Sequence, residues 1–221
     1  MKLSNFLKTF SIKHGREILE GAMVFVSLDR PLDQVIRHAL ALGSYHPGKP
    51  GRWSHCFLIA EEYHGVKTRI LDCSIRDKKG RIIWDSTLAE DIDVLIKGIQ
   101  GKGGKIYNSQ VSDYDHEEVQ DCGLYYLPDL SAKERHKIVR MARKLQSEGF
   151  RYDLPGLARE WVRLLIGVSW KPGRSRLLFC SAFLAKVYRA AFGKAWNIAP
   201  GIPSARITLD EIWYSRIGAR A

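Results

Sequence analysis

Residues 54–74 read Ser54-His55-Cys56-Phe57-Leu58-Ile59-Ala60, then Glu61-Glu62-Tyr63-His64-Gly65-Val66-Lys67, then Thr68-Arg69-Ile70-Leu71-Asp72-Cys73-Ser74. Two β-rich runs flank a polar stretch with a glycine, a pattern that predicts an antiparallel hairpin. His55 opens the first strand and Asp72 lies near the end of the second. Antiparallel pairing can bring that carboxylate to the imidazole and fix its tautomer. Taken singly, each has an ordinary structural counterpart: a satisfied histidine at a sheet edge, and an aspartate capping a strand end.

Outward from this hairpin, Gly21 introduces a short buried strand, Ala22-Met23-Val24-Phe25-Val26, and Pro31 fits the first turn of a helix carrying Val35, Ile36, Ala39 and Leu40. A Gly/Pro-rich loop runs from Gly43 to Gly51. Further strand-like pieces are Arg81 to Trp84 and Val94 to Ile96. Residues 97–121 are polar, rich in glycine at the start and without sustained period, and are expected to form a flap or insertion. Ser131-Ala132-Lys133-Glu134 is a capping box, followed by Ile138, Met141, Ala142 and Leu145 at helical spacing and a stop at Gly149. A helix is expected over Leu157 to Ile166. Another runs through Phe183, Leu184, Val187, Tyr188 and Ala191 to Gly193, with Cys180 at or near its N-terminus. Strands cluster in the first 130 residues and helices after them, so the fold class is α+β, in one domain over 1–221 with an N-terminal amphipathic segment over 1–20.

At 221 residues, with 45% hydrophobic and 27% charged composition, the chain has the balance of a globular protein with one substantial core. Its charge of +11 is uneven. Residues 1–130 hold 17 Lys and Arg against 18 Asp and Glu, a balance of −1, while residues 131–221 hold 18 against 6, a balance of +12. The basic half favours anionic partners such as cell-wall polymer, phospholipid headgroups or nucleic acid, through long-range attraction rather than specific contact. Cys56, Cys73, Cys122 and Cys180 lack the paired spacing of a zinc site and the density of a disulfide scaffold, so they read as free thiols in a reducing compartment. The N-terminus lacks a signal-peptide apolar run, and no stretch is long enough to span a membrane, so a cytoplasmic product is expected. Leu3, Phe6, Leu7 and Phe10 fall at helical spacing beside lysines. They describe either a helix on an anionic membrane or, the favoured arrangement, one packed on the domain.

A thiol attacks only as thiolate, and a helix N-terminus together with an imidazole lowers its pKa. Cys180 has that setting, although a cysteine between Phe179 and Ser181-Ala182 is by itself more often plain core. His46, His64, His116 and His136 have no cysteine or carboxylate at metal-ligand spacing, so no metal is expected, nor any other cofactor. The Lys97 to Lys105 tract does not fit a phosphate-binding loop, and no specific nucleic-acid partner is expected.

Taken in order, these residues resemble the circularly permuted NlpC-type papain-like cysteine hydrolases, the group of YiiX-like and YaeF-like proteins related to lecithin:retinol acyltransferases. Gly21-Ala22-Met23-Val24-Phe25 resembles the family's opening strand, Ser54 to Ile59 its histidine strand, and Ile70-Leu71-Asp72-Cys73 the strand of its polar third residue. Gly149-Phe150-Arg151-Tyr152-Asp153 resembles its G-x-x-Y-D turn, Phe179-Cys180-Ser181 its nucleophile helix, and Pro200 to Ser215 its closing segment. The chain departs from the pattern at Ala22, where Asp is usual, in Cys-Ser-Ala for Cys-Ser-Glu, and in Asp72 for Glu or His.

The resemblance implies a papain-like fold, an antiparallel sheet or half-barrel against helices, permuted so that the sheet bearing the histidine precedes the helix bearing the cysteine. It implies Cys180 as nucleophile, His55 as base, Asp72 as third member, and Tyr152 with the Cys180 N–H at the oxyanion. The implied reaction is hydrolysis of an amide through an acyl-enzyme, with a cell-wall stem peptide as substrate. A cytosolic product aimed at cell wall suggests a secreted antibacterial effector with an immunity protein as partner. Two rivals stand beside it: a lipid-directed acyl hydrolase or acyltransferase, and an inactive basic binding module.

Overall fold

The computed structural model describes residues 2–31, 33–34, 37–38, 51–74, 76, 82, 104–152, 177–178, 180–193, 198, 208–215 and 219–220. The fold is α+β: a five-stranded antiparallel sheet packed against helices. The long strands are β1 (Met23–Leu28), β2 (His55–Ile59), β3 (Arg69–Ser74), β4 (Lys105–Gln110) and β5 (Val119–Tyr126), in the order β4-β3-β2-β1-β5. Two-residue strands extend both ends, β6 (Arg151–Tyr152) and β7 (Leu177–Leu178) beyond β4, and β8 (Ala219–Arg220) beyond β5. The helices are α1 (Leu3–His14), α2 (Ala132–Ser147), α3 (Cys180–Phe192) and α4 (Leu209–Trp213).

β1, β2 and most of β3 are buried on both sides, which is why they read as near-continuous apolar runs. One face, carrying Met23, Phe25, Cys56, Leu58, Leu71 and Cys73, packs beneath α2, α3 and α4. The other, carrying Val24, Val26, Phe57, Ile59 and Ile70, is covered by α1 through Leu3, Leu7 and Phe10. The apolar stripe of α1 is therefore used inside the molecule, and Tyr63 ties its start down by donating to the Ser4 carbonyl at 2.8 Å. No described helix is long and apolar enough to cross a membrane.

Helix α2 begins at the expected capping box, the Ser131 hydroxyl accepting from the Glu134 N–H while Glu134 reaches back to the Ser131 N–H. It ends before Gly149, whose φ of 73° is the left-handed conformation that glycine adopts without strain. The hairpin of β2 and β3 forms as expected, paired at Leu58↔Leu71 and Ile59↔Ile70.

One expectation is overturned. Within 97–121, residues from Lys105 onward are not a flap: they supply β4, a 3-10 turn over Val111–Tyr114 and the start of β5. The strand escaped notice because Ile106 is the one aliphatic side chain of Lys105–Gln110, and backbone pairing to β3 from Arg69↔Gln110 to Ser74↔Lys105 carries the element instead. Residues 97–103 lie outside the described set, as do both pieces expected as strands at 81–84 and 94–96, apart from Ile82, and the helix expected at 157–166. After Pro31, residues 31, 33, 34, 37 and 38 are helical.

Gly123 on β5 lies under two indoles: a Cβ there would come within 2.6 Å of Trp213 and 2.8 Å of Trp53. Those rings pack at 4.7 Å between centroids with Phe25 beside them. Gly123→Ala is expected to lower stability by about 1–3 kcal/mol, the usual cost of overpacking, read as a fall in the urea midpoint with unchanged m-value.

Candidate active site

The site is built from the start of β2. Ser54, just before it, accepts from the Leu28 N–H at 3.0 Å and bonds the Val26 carbonyl through its own N–H at 3.1 Å, pinning the chain where β1 ends. That fixes His55 opposite Val26 at the end of the sheet. The β2–β3 register, continued toward this end, sets His55 level with Ser74, so Asp72 is its diagonal neighbour on the same face, within reach of long side chains. His55 Nε2 indeed meets Asp72 Oδ1 at 2.7 Å, with both residues buried.

The second carboxylate oxygen, Oδ2, accepts three further bonds: from Ser74 Oγ at 2.6 Å, Arg76 Nη2 at 2.8 Å and Tyr114 OH at 2.9 Å. Arg76 is itself held by Ser109 Oγ at 2.5 Å, lies 3.8 Å from Asp113, and stacks over the Tyr107 ring at 4.7 Å. Tyr114 also lies nearly parallel to the imidazole, at 5.9 Å between centroids and 14° between planes, so one side chain fixes both the carboxylate and the ring plane.

Cys180 is the first residue of α3, buried at the face of the sheet that carries Cys56. Burial of both groups lets the charges of Cys180 and His55 act on each other, favouring the thiolate and the imidazolium. With Nε2 engaged by Asp72, Nδ1 is the nitrogen left for the thiol proton. The sequence reading named Cys180, His55 and Asp72, and all three come together.

The electrostatics favour an ion pair. Cys180 is pulled down to about 5, first by a hydrogen bond from the Cys56 thiol and, against the opposition of burial, by His55 and the Cys56 N–H. Burial works against a charged His55, but the charges of Asp72 and Cys180 outweigh it and push the imidazole up to about 10. Burial would raise Asp72; His55 and then Arg76 reverse this and hold its carboxyl well below the usual range. These shifts all run in the direction that favours an alternating chain of thiolate, imidazolium, carboxylate and guanidinium.

Tyr152 lies on β6, its backbone paired in parallel register with Leu178, two residues before Cys180. The expectation for its hydroxyl falls outside the described residues. Sequence reading missed Tyr114, Arg76, Ser74 and Ser109. Tyr114 and Ser109 were hidden in the stretch read as a flap, whereas Arg76, four residues after Asp72, was available as a nearby cation. Among the described residues, no group of three or more His, Cys, Asp or Glu side chains is disposed to hold a metal ion, and all four cysteines are free thiols.

No family model matches the chain, and no curated protein is similar to it.

Removing Arg76 takes one of its two cationic partners from a buried carboxylate, so Arg76→Ala is expected to cost up to about 3–5 kcal/mol at pH 7. A carboxyl with a depressed folded pKa stabilises fully above its unfolded value and loses that contribution as pH falls. The gap between wild type and variant, measured by urea denaturation, should therefore narrow as pH drops below about 4, the ordinary range of an aspartate.

Proposed function

We propose that this chain is a cysteine-nucleophile amide hydrolase of papain-like type, acting through an acyl-enzyme. The observation that carries this reading is the buried relay from Cys180 at a helix N-terminus through His55 to Asp72. The Cys180 thiolate attacks the carbonyl carbon, and the oxyanion is met by the Cys180 N–H in the first turn of α3. The imidazolium protonates the departing amine. Neutral His55 then takes a proton from water, which attacks the thioester and restores the thiolate. Asp72 keeps the ring in one tautomer and orientation throughout.

The substrate class proposed is a cell-wall stem peptide carried on an anionic polymer. One face of α2 supports an anionic partner. Lys133, Lys137, Arg140 and Arg143 are exposed along it, and among the described residues none of the four has an ion-pair partner. Their spacing of three and four residues sets like charges side by side, each neighbouring pair costing the helix roughly 0.2–0.5 kcal/mol. Over about 15 Å of helix, Glu134 is the one acidic side chain between them, and its charge interacts with Lys137 at the start of the line. The same stripe also suits the rival reading of a basic binding module without catalysis. The lipid-directed rival loses one support, since Leu3, Leu7 and Phe10 of α1 are buried against the sheet.

Iodoacetamide labelling of Cys180 against pH separates catalysis from binding. The expected acid limb lies near pH 5 in wild type, against about 8.5 for an ordinary thiol. His55→Ala should return it most of the way, and both His55→Ala and Cys180→Ala should abolish amine release from purified sacculi. An ordinary thiol profile in wild type would sink the enzyme reading.

For the basic stripe, the double variant Lys137→Glu/Arg140→Glu should lose most of its low-salt binding to anionic sacculi while its Cys180 labelling profile stays unchanged. Retained binding would remove α2 from the substrate surface.

A further inference from the structure

Tyr114 closes the 3-10 turn Val111–Tyr114 between β4 and β5. The backbone of that turn is held from several sides. The Val111 N–H donates to the Thr68 carbonyl at 3.0 Å and the Ser112 N–H to the Val66 carbonyl at 2.8 Å, while the Gln110 N–H donates to Asp113 Oδ2 at 3.2 Å. The Tyr114 ring is buried and packs on Phe57 at 4.6 Å between centroids, two residues beyond His55 and on the same side of β2. From this anchored position two contacts converge on the relay. The hydroxyl donates to Asp72 Oδ2 at 2.9 Å, and the ring lies along the imidazole of His55 at 5.9 Å and 14°.

We propose that Tyr114 is a positioning residue for His55: its hydroxyl stops the Asp72 carboxylate from rotating, and its ring stops the imidazole from swinging about the Nε2 bond, so that Nδ1 stays turned toward Cys180. This deepens the reading of Cys180 as nucleophile and rests on it. The last torsion of an aspartate is broad, so a carboxylate needs contacts to fix its plane. An imidazole bonded through one nitrogen can likewise pivot about that bond. Ser74 and Arg76, the other donors to Oδ2, follow Asp72 by two and four residues and belong to its own stretch of chain. Tyr114 comes from a separate element and ties the carboxylate to a frame outside β3.

The charges around the pair suit this role. Burial and the charge of Asp72 push the Tyr114 phenol well above its usual range, against the pull of Arg76 and Arg30, so the hydroxyl keeps its proton and stays a donor. The charged groups acting on His55 are Asp72 from β3, with Arg76 behind it, and Cys180 from α3. A tyrosine that only filled space would change stability when removed. One that holds the imidazole would also change the protection of its Nε2 proton and the ionisation of Cys180.

The experiment reads both quantities on the full chain. Low-field proton NMR of protein with 15N-labelled histidine follows the His55 Nε2–H, identified by its loss in His55→Ala, and its exchange with water. Iodoacetamide labelling, followed at Cys180 by peptide mass spectrometry, gives the acid limb. The variants are Tyr114→Phe, which keeps the ring without the donor, and Tyr114→Leu, which lacks both. Tyr63→Phe is the control, because it removes a buried hydroxyl that bonds the Ser4 carbonyl away from the site. Thermal melts first identify which Tyr114 variant is folded, and either one decides.

In Tyr114→Phe the Nε2 proton should exchange about tenfold faster, the factor for one ordinary hydrogen bond. The acid limb should rise by about one pH unit, the lower end of what a neighbouring opposite charge contributes. Tyr114→Leu should move both further, and Tyr63→Phe should lower the melting temperature while moving neither. A folded Tyr114 variant that keeps the wild-type exchange rate and limb, or shifts no larger than those of Tyr63→Phe, overturns the role of Tyr114 alone. A wild-type limb of an ordinary thiol overturns the nucleophile reading and this inference together.

Discussion

The structure depends on keeping one carboxylate charged where water does not reach. Asp72 has no exposed surface, and an ionised carboxylate moved into such a place costs several kcal/mol even after relaxation. Four donors offset that cost, His55 on one oxygen and Ser74, Arg76 and Tyr114 on the other, and hydrogen bonds to a charged group contribute about 1.5–3 kcal/mol each. Each donor comes from a different part of the chain's path, so β2, β3, the residue just beyond β3 and the 3-10 turn must all be in place before the carboxylate is satisfied.

Arg76 makes this more than a structural device. Alone with the imidazole, Asp72 would claim the His55 proton as its own counter-charge. With the guanidinium on Oδ2, the carboxylate is already balanced, and the imidazolium is shared between Asp72 on one side and Cys180 on the other. Four charges of alternating sign sum to zero within the buried site. Tyr114 adds direction to this balance, since its ring lies parallel to the imidazole while its hydroxyl holds the carboxylate.

The two sides of the sheet divide the work. The face under α1 carries the His55, Asp72 and Tyr114 network beside Phe57 and Val111, and the face under α2 and α3 carries the nucleophile with Cys56 and Cys73. His55 belongs to both because it is the first residue of its strand. This explains the tight pinning of its backbone by Ser54: a shift of one residue in register would turn His55 away from Asp72 and put Cys56 in its place.

Local chemistry alone determined a good part of this protein. The hairpin of residues 54–74, the capping box at Ser131, the glycine stop at Gly149 and the helix start at Cys180 were legible because each rests on residues close together in sequence, with periods or caps that few other arrangements satisfy. His55, Asp72 and Cys180 stood out as candidates for the same reason, as reactive groups at element ends. Tertiary structure decided the rest. β4 forms because β3 offers it a backbone ladder, which leaves little trace in the side chains of Lys105–Gln110. Tyr114 reaches Asp72 across a sequence separation of 42, and Cys180 meets the sheet only when α3 lands on β2. Such contacts follow from packing between distant segments, whereas sequence periodicity records only which side of its own element a residue faces.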